Sequence, residues 1–241
     1  SGSIMGVPTL PESYSLVDGY IVGANASLTG ADLTGLDLSE ASLTGITSGY
    51  ISGTPTLPVS YSLVNGYIAG PNADLSGADL RYADLTGVDL TGTDLTGISS
   101  GYITGMPTLP VSYSLLSGYL VGPGVNLTGA DLTGLDLSGE DLQDVVSGSI
   151  TGTPTLPFGY RLVGGYIAGP NVNLSGADLS GLDLTGVELT GANLQNTQLS
   201  GASLTGVRSG SITGIPKLSE SYSLVDGYII GPNVNLSGAD L

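Results

Sequence analysis

No cysteine, no histidine and no tryptophan occur among the 241 residues, and phenylalanine appears once. Without Cys or His there is no thiol nucleophile, no disulfide, no ordinary zinc ligand set and no side chain that titrates near neutrality. Catalysis would have to rest on carboxylates alone. Lysine and arginine total 4 against 21 acids, a net charge of −17. So acidic a surface repels phosphate, which argues against binding nucleic acid or adsorbing to an anionic membrane. No apolar run reaches the length of a membrane span, so no membrane insertion is expected. The chain opens Ser1-Gly2-Ser3-Ile4, without an initiator Met or a signal-peptide pattern, and is read as a segment of something longer or as the product of leader removal.

Glycine is what the chain has in excess, 40 residues, and it falls in repeats. Ala31-Asp32-Leu33-Thr34-Gly35 sets the pattern. Leucine recurs every five residues from Leu28 to Leu43, Leu75 to Leu95, Leu127 to Leu142, Leu174 to Leu204, and at Leu236 and Leu241, 22 centres in all. Two positions before the centre stands Ala in 11 of the 22, and directly before it an acid in 14, so each pentapeptide offers one large and one small apolar side chain beside a polar one. A period of five fits neither the 3.6 of a helix nor the 2.0 of a plain strand. A chain turning about 90° every five residues accounts for it. Four such units close a square coil, and coils stack at roughly the 4.8 Å strand spacing with leucines along the axis.

Ala78-Asp79-Leu80-Arg81-Tyr82 and its neighbours resemble the A(D/N)LXX motif of the pentapeptide-repeat family. The resemblance implies a right-handed quadrilateral parallel β-helix, here of about ten coils, and leaves function open because the family's functions vary. Some members inhibit type II topoisomerases as acidic DNA mimics.

A longer unit lies over the fives. Ser-Gly-x-Ile opens segments 1–47, 48–99, 100–146, 147–208 and 209–241, the first four of which differ in length by multiples of five. They are read as one continuous solenoid, 1–241. Each unit begins with a divergent stretch such as Thr54-Pro55-Thr56-Leu57-Pro58 through Gly66-Tyr67-Ile68. Its apolar positions Ile51, Leu57, Leu63 and Ile68 are read as four sides of one looser coil, against the alternative of a protruding loop or small hairpin. Glu140 interrupts a small apolar position and is expected to turn outward, because a lone buried carboxylate is costly.

The acids before each leucine are read as solvated surface, lacking the cleft and unequal surroundings that acid–base work needs. The chain is therefore read as no enzyme, with no catalytic residue, no cofactor and no metal site; a Ca2+ shared between stacked carboxylates is the one ion the pattern would suit. Tyrosines six apart recur in every unit, and the second of each pair, Tyr20, Tyr67, Tyr119, Tyr166 and Tyr228, is expected to face outward. These five are candidate interaction residues, weighed against packing at a proline corner. Counting inward centres in fours places Tyr20, Tyr67 and Tyr228 on one face, with Tyr119 and Tyr166 on another. Asn25, Asn126, Asn173 and Asn235 begin glycosylation sequons that a Leu-Ser/Thr repeat generates by default.

The function expected is structural: an extracellular or cell-surface spacer, adhesin stalk or filament segment, homo-oligomeric by head-to-tail stacking of coil ends that lack caps. A DNA-mimic inhibitor of a type II topoisomerase and an ice- or cation-binding repeat surface are the alternatives.

Overall fold

A computed structural model describes residues 4–240. The protein divides into two compact units, Ser1–Leu120 and Val121–Leu241, and each is considered on its own. Both are all-β, with no helix among the described residues.

The pentapeptides fold as the spacing of Leu requires. Every leucine centre from Leu28 to Leu204 is no more than 1% exposed. Leu236 is half-buried, and Leu241 lies outside the described residues. Single parallel bridges join Asp74 to Asp94, Asp79 to Ser99 and Asp84 to Thr104, each pair 20 residues apart. Twenty residues are four pentapeptides, so the chain returns over itself once per four repeats and backbone groups of successive turns satisfy one another. Between bridges the chain turns tightly. Ala31 N–H donates to the Leu28 carbonyl at 3.0 Å across a turn whose third residue, Gly30, has φ 70°. A positive φ is nearly free for glycine and strained for a residue with a Cβ, which accounts for the Gly that ends so many repeats.

Threonine replaces the small apolar residue at two buried positions. Thr93 donates its hydroxyl to the Gly70 carbonyl at 2.9 Å, and Thr197 to the Leu174 carbonyl at 2.8 Å, so neither hydroxyl is left unpaired. Glu140 ends up half-exposed.

The divergent stretches depart from the expected loose coil. Each contains a two-stranded antiparallel hairpin: β1 (Tyr14–Val17) with β2 (Tyr20–Gly23), β3 (Ser62–Val64) with β4 (Tyr67–Ala69), β5 (Ser114–Leu116) with β6 (Tyr119–Val121), β7 (Arg161–Val163) with β8 (Tyr166–Ala168), and β9 (Ser223–Val225) with β10 (Tyr228–Ile230). Leu63 and Ile68, expected on successive sides, stand directly opposite each other in register. The cause is the loop. Asn65 and Gly66 both have positive φ, 48° and 79°, the geometry of a two-residue turn whose twist matches that of paired strands. Asp18-Gly19, Ser117-Gly118, Gly164-Gly165 and Asp226-Gly227 repeat it.

In the four later stretches only the first half continues the ladder, Ser52 pairing with Asp32 and Thr56 with Asp37. The hairpin then consumes extra chain, so Thr47 meets Asp74, Val146 meets Asn173 and Arg208 meets Asn235, each 27 residues on rather than 20.

Candidate interaction surface

The Ser-Gly-x-Ile motif is the seat of the hairpin. Ser48 occupies the place of a leucine centre, one turn after Leu28, and its Oγ accepts the Ile68 N–H at 2.8 Å. Ser100 does the same for Leu120, Ser147 for Ile167 and Ser209 for Ile229, at 2.9–3.0 Å. A small polar residue at an inward position thus replaces packing by one specific bond. The Ile51 N–H donates to the Gly66 carbonyl at 3.1 Å and fastens the hairpin's tip.

Four of the five tyrosines singled out in the sequence, Tyr67, Tyr119, Tyr166 and Tyr228, sit in this seat, and the corresponding Ser1 and Gly2 of the first segment lie outside the described residues. The Tyr67 ring lies over Gly49, where a Cβ would come within 3.0 Å of it; Tyr119, Tyr166 and Tyr228 cover Gly101, Gly148 and Gly210 in the same way. The glycine of the motif is there to admit a ring. The Tyr67 hydroxyl accepts the Asp79 N–H at 3.3 Å, as Tyr20 does for Asp32, Tyr166 for Asp178 and Tyr228 for Asp240. Tyr20, Tyr67, Tyr166 and Tyr228 are half-buried and Tyr119 is buried. The first tyrosine of a pair packs on the second strand's closing glycine, and Tyr14, Tyr61 and Tyr222 donate to the carbonyls of Ala24, Pro71 and Pro232. Burial pushes the Tyr61 and Tyr160 hydroxyls above their ordinary pKa.

Inside the first unit, Tyr20 and Tyr67 address Asp32 and Asp79, which stand one repeat after Ser27 and Asp74, residues aligned through Thr47. The two tyrosines therefore share a side, as counting expects. Inside the second, Tyr166 addresses Asp178, aligned with Gln198 and Lys217, whereas Asp240, the partner of Tyr228, falls one repeat after Asn235, on a neighbouring side. Two departures offset each other here. A hairpin uses Leu63 and Ile68 at one place instead of two, while Ile46-Thr47-Ser48 adds a repeat that a count of leucines passes over.

The outward acids have a local task. Asp84 Oδ1 accepts both the backbone N–H and the hydroxyl of Thr86, at 3.0 and 2.6 Å. Asp32, Asp89 and Asp131 hold the threonines two residues on in the same way, and Asn126, Asn173, Asn193 and Asn235 accept the corresponding N–H. These are Asx turns that fix the corner after each bridge. The threonine hydroxyl first, and its N–H second, hold the carboxyls of Asp32, Asp84, Asp89 and Asp131 below the usual carboxylate value. Asp79 is lowered chiefly by Arg81, whose Nε and Nη2 donate to it at 2.9 and 2.5 Å.

Across the ladder the acids are spaced by neutral partners. Asp32 aligns with Ser52, Asp37 with Thr56, Asp79 with Ser99, Asp84 with Thr104 and Asp89 with Thr108, while Asp74 with Asp94 puts carboxylate next to carboxylate. Among the described residues no three acidic side chains gather as a metal-binding group, and no helix is long and apolar enough to cross a membrane.

The family model for pentapeptide repeats matches eight copies within residues 23–45, 71–97 and 171–206. No curated protein matches the chain. Solved structures similar to it include a pentapeptide-repeat protein and a resistance protein. One is HetL, a pentapeptide-repeat protein involved in heterocyst differentiation regulation from the cyanobacterium Nostoc sp. strain PCC 7120; it is 23% identical over 82% of this chain and 84% of its own, with a TM-score of 0.22. The other is QnrB1, a plasmid-mediated fluoroquinolone resistance protein, 14% identical over 88% of this chain and 84% of its own, with a TM-score of 0.18.

Proposed function

Since the chain is built on the repeats of the pentapeptide-repeat family, we propose that it is a structural or interaction segment, not an enzyme: a spacer, adhesin stalk or filament piece at or outside the cell surface. In this reading its four repeats per turn are the sides of a right-handed quadrilateral coil, about ten coils in all, and copies associate head to tail. The observation that carries it is the ladder itself. Outward acids such as Asp84 and Asp89 are committed to corner turns and meet Thr in the next turn, so their charge keeps surfaces soluble with little opposition to the stacking of turns. The backbone row that one turn offers the next is equally suited to a turn of a second copy. Only 4 Lys and Arg in the sequence leave trypsin-like proteases few sites, which suits an exposed location.

Electron microscopy of the purified chain across a range of concentrations tests the reading. Narrow rods that lengthen into filaments as concentration rises are expected; globular single particles at every concentration would overturn it. A gyrase supercoiling assay separates the DNA-mimic alternative, which predicts dose-dependent loss of supercoiling, and thermal hysteresis separates the ice-binding one.

A further inference from the structure

The first unit carries a feature that the ladder does not require. A cavity of about 520 Å3 is lined by Tyr50, Asn65, Tyr67, Asp79, Arg81 and Tyr82, within the range of small-ligand sites, about 300–1,000 Å3. Tyr50 is 82% exposed and Tyr82 73% exposed. Tyr82 is stacked on Tyr102, ring centroids 5.0 Å apart and planes 2° from parallel, so it is held as a rigid platform. Both Tyr50 and Tyr82 lie at positive φ, 53° and 61°, where a ring-bearing residue is strained. Tyr82 recovers part of that cost in its stack on Tyr102, and exposed rings at the edge of a cavity mark an interaction surface.

The same frame without these residues occurs in the second unit. Tyr166 meets Asp178 there as Tyr67 meets Asp79, but the positions of Tyr50, Asn65, Arg81 and Tyr82 are taken by Ser149, Gly164, Ser180 and Gly181. The frame folds with serine and glycine, so the aromatic and polar groups of the first unit are an addition to it.

We propose that this cavity binds a neutral oligosaccharide through the exposed faces of Tyr50 and Tyr82. A pyranose presents a flat face of C–H bonds to a tyrosine ring and a rim of hydroxyls that both donate and accept. Asp79 supplies acceptors and Arg81 donors. Their bidentate pair cancels the charge of each, so the cavity is no anion site despite its arginine. Asn65 is fixed by its Nδ2, which donates to the Arg81 carbonyl at 3.0 Å, and the Tyr67 hydroxyl is held against the Asp79 N–H. Donors, acceptors and two ring faces are thereby preorganised around one space.

The full chain with 13C-labelled tyrosine, titrated with cellopentaose and with chitopentaose, tests this by NMR. The Tyr50 and Tyr82 ring signals are expected to shift and saturate with a Kd of about 1 mM or tighter, while those of Tyr20 and Tyr228 stay in place. Tyr50→Ser and Tyr82→Gly introduce residues that the chain already uses at equivalent corners, and each is expected to weaken binding by about tenfold or more with the circular dichroism spectrum unchanged. Absence of shifts with both sugars, shifts that survive both substitutions, or tighter binding of a sulfated oligosaccharide would overturn the assignment. So would Tyr50 and Tyr82 shifts that follow protein concentration instead of sugar. The outcome is independent of whether filaments form, since a monomeric chain retains the whole cavity.

Discussion

The run from Asp74 to Asp94 and the hairpin from Tyr61 to Gly70 are held by opposite means. In the ladder every position is replicated: one leucine among many along the axis, one Asx turn among many at the corners, and the same 20-residue return. In the hairpin the key contacts are single. Ser48 takes one N–H, Gly49 admits one ring and Gly66 receives one donor. Redundancy lets the ladder change length in steps of five, because any repeat fits any side. Specificity obliges the hairpin to arrive with its whole seat, which is why Ser-Gly-x-Ile and the tyrosine pair travel together through the sequence.

The sharpest challenge to that contrast comes from the ladder. Leu85 is fully buried, and Leu85→Ala removes its packing and leaves a cavity between turns. Urea unfolding is expected to show a loss of about 2–5 kcal/mol; a loss near zero would mean that redundancy absorbs even the axis.

Ser48→Ala comes next. It leaves the buried Ile68 N–H without its acceptor and is expected to cost about 1–3 kcal/mol, with faster amide exchange at Ile68 and little change at Leu85. Uniform acceleration across both regions would show that hairpin and ladder open as one. Tyr67→Phe keeps the ring over Gly49 and removes only the acceptor for Asp79, so a smaller loss of about 0.5–1.5 kcal/mol is expected.

Much of the ladder was legible because a single residue type does a single job. Leucine at every fifth place leaves no other geometry that buries all of them, and the burial of Leu28 to Leu204 follows. The hairpins were misread for an identifiable reason. Ile51, Leu57, Leu63 and Ile68 keep nearly the pentapeptide spacing, and that rhythm outweighed Asn65-Gly66 and Asp18-Gly19, dipeptides that signal a two-residue β-turn between apolar residues. The Asx role of the acids was also missed. It could have been found in the recurrence of Asp or Asn two residues before Ser or Thr. The seat of Ser48 lay beyond pattern reading, since nothing in a serine announces that a backbone N–H twenty residues away will need it. The cavity lay beyond it too: Tyr50 and Tyr82 are 32 residues apart, and only the return of the chain brings them to one space.

The smallest energetic effect offers the finest test of the corners. Thr86 is exposed, so Thr86→Ala is expected to change stability by under about 0.5 kcal/mol. Its consequence lies in titration. The Thr86 hydroxyl is the main cause holding Asp84 below the usual carboxylate value, and the Thr86 N–H the second. Without the hydroxyl the Asp84 pKa is expected to rise toward that value without reaching it, because the backbone bond persists; a carboxyl-carbon NMR titration reads this directly. A folded value lower than the unfolded one contributes stability wherever the unfolded carboxyl is ionised, and that contribution disappears as pH falls through the folded value. The Tm of the parent chain is therefore expected to decline as pH drops below about 4, in step with protonation of Asp32, Asp84, Asp89 and Asp131. The Ser48 contact of the hairpin carries no carboxyl and should hold. Amide exchange at pH 3 should then show the corners after Asp84 and Asp89 loosening before Ile68. Loosening of Ile68 first would reverse the assignment of which region depends on charge.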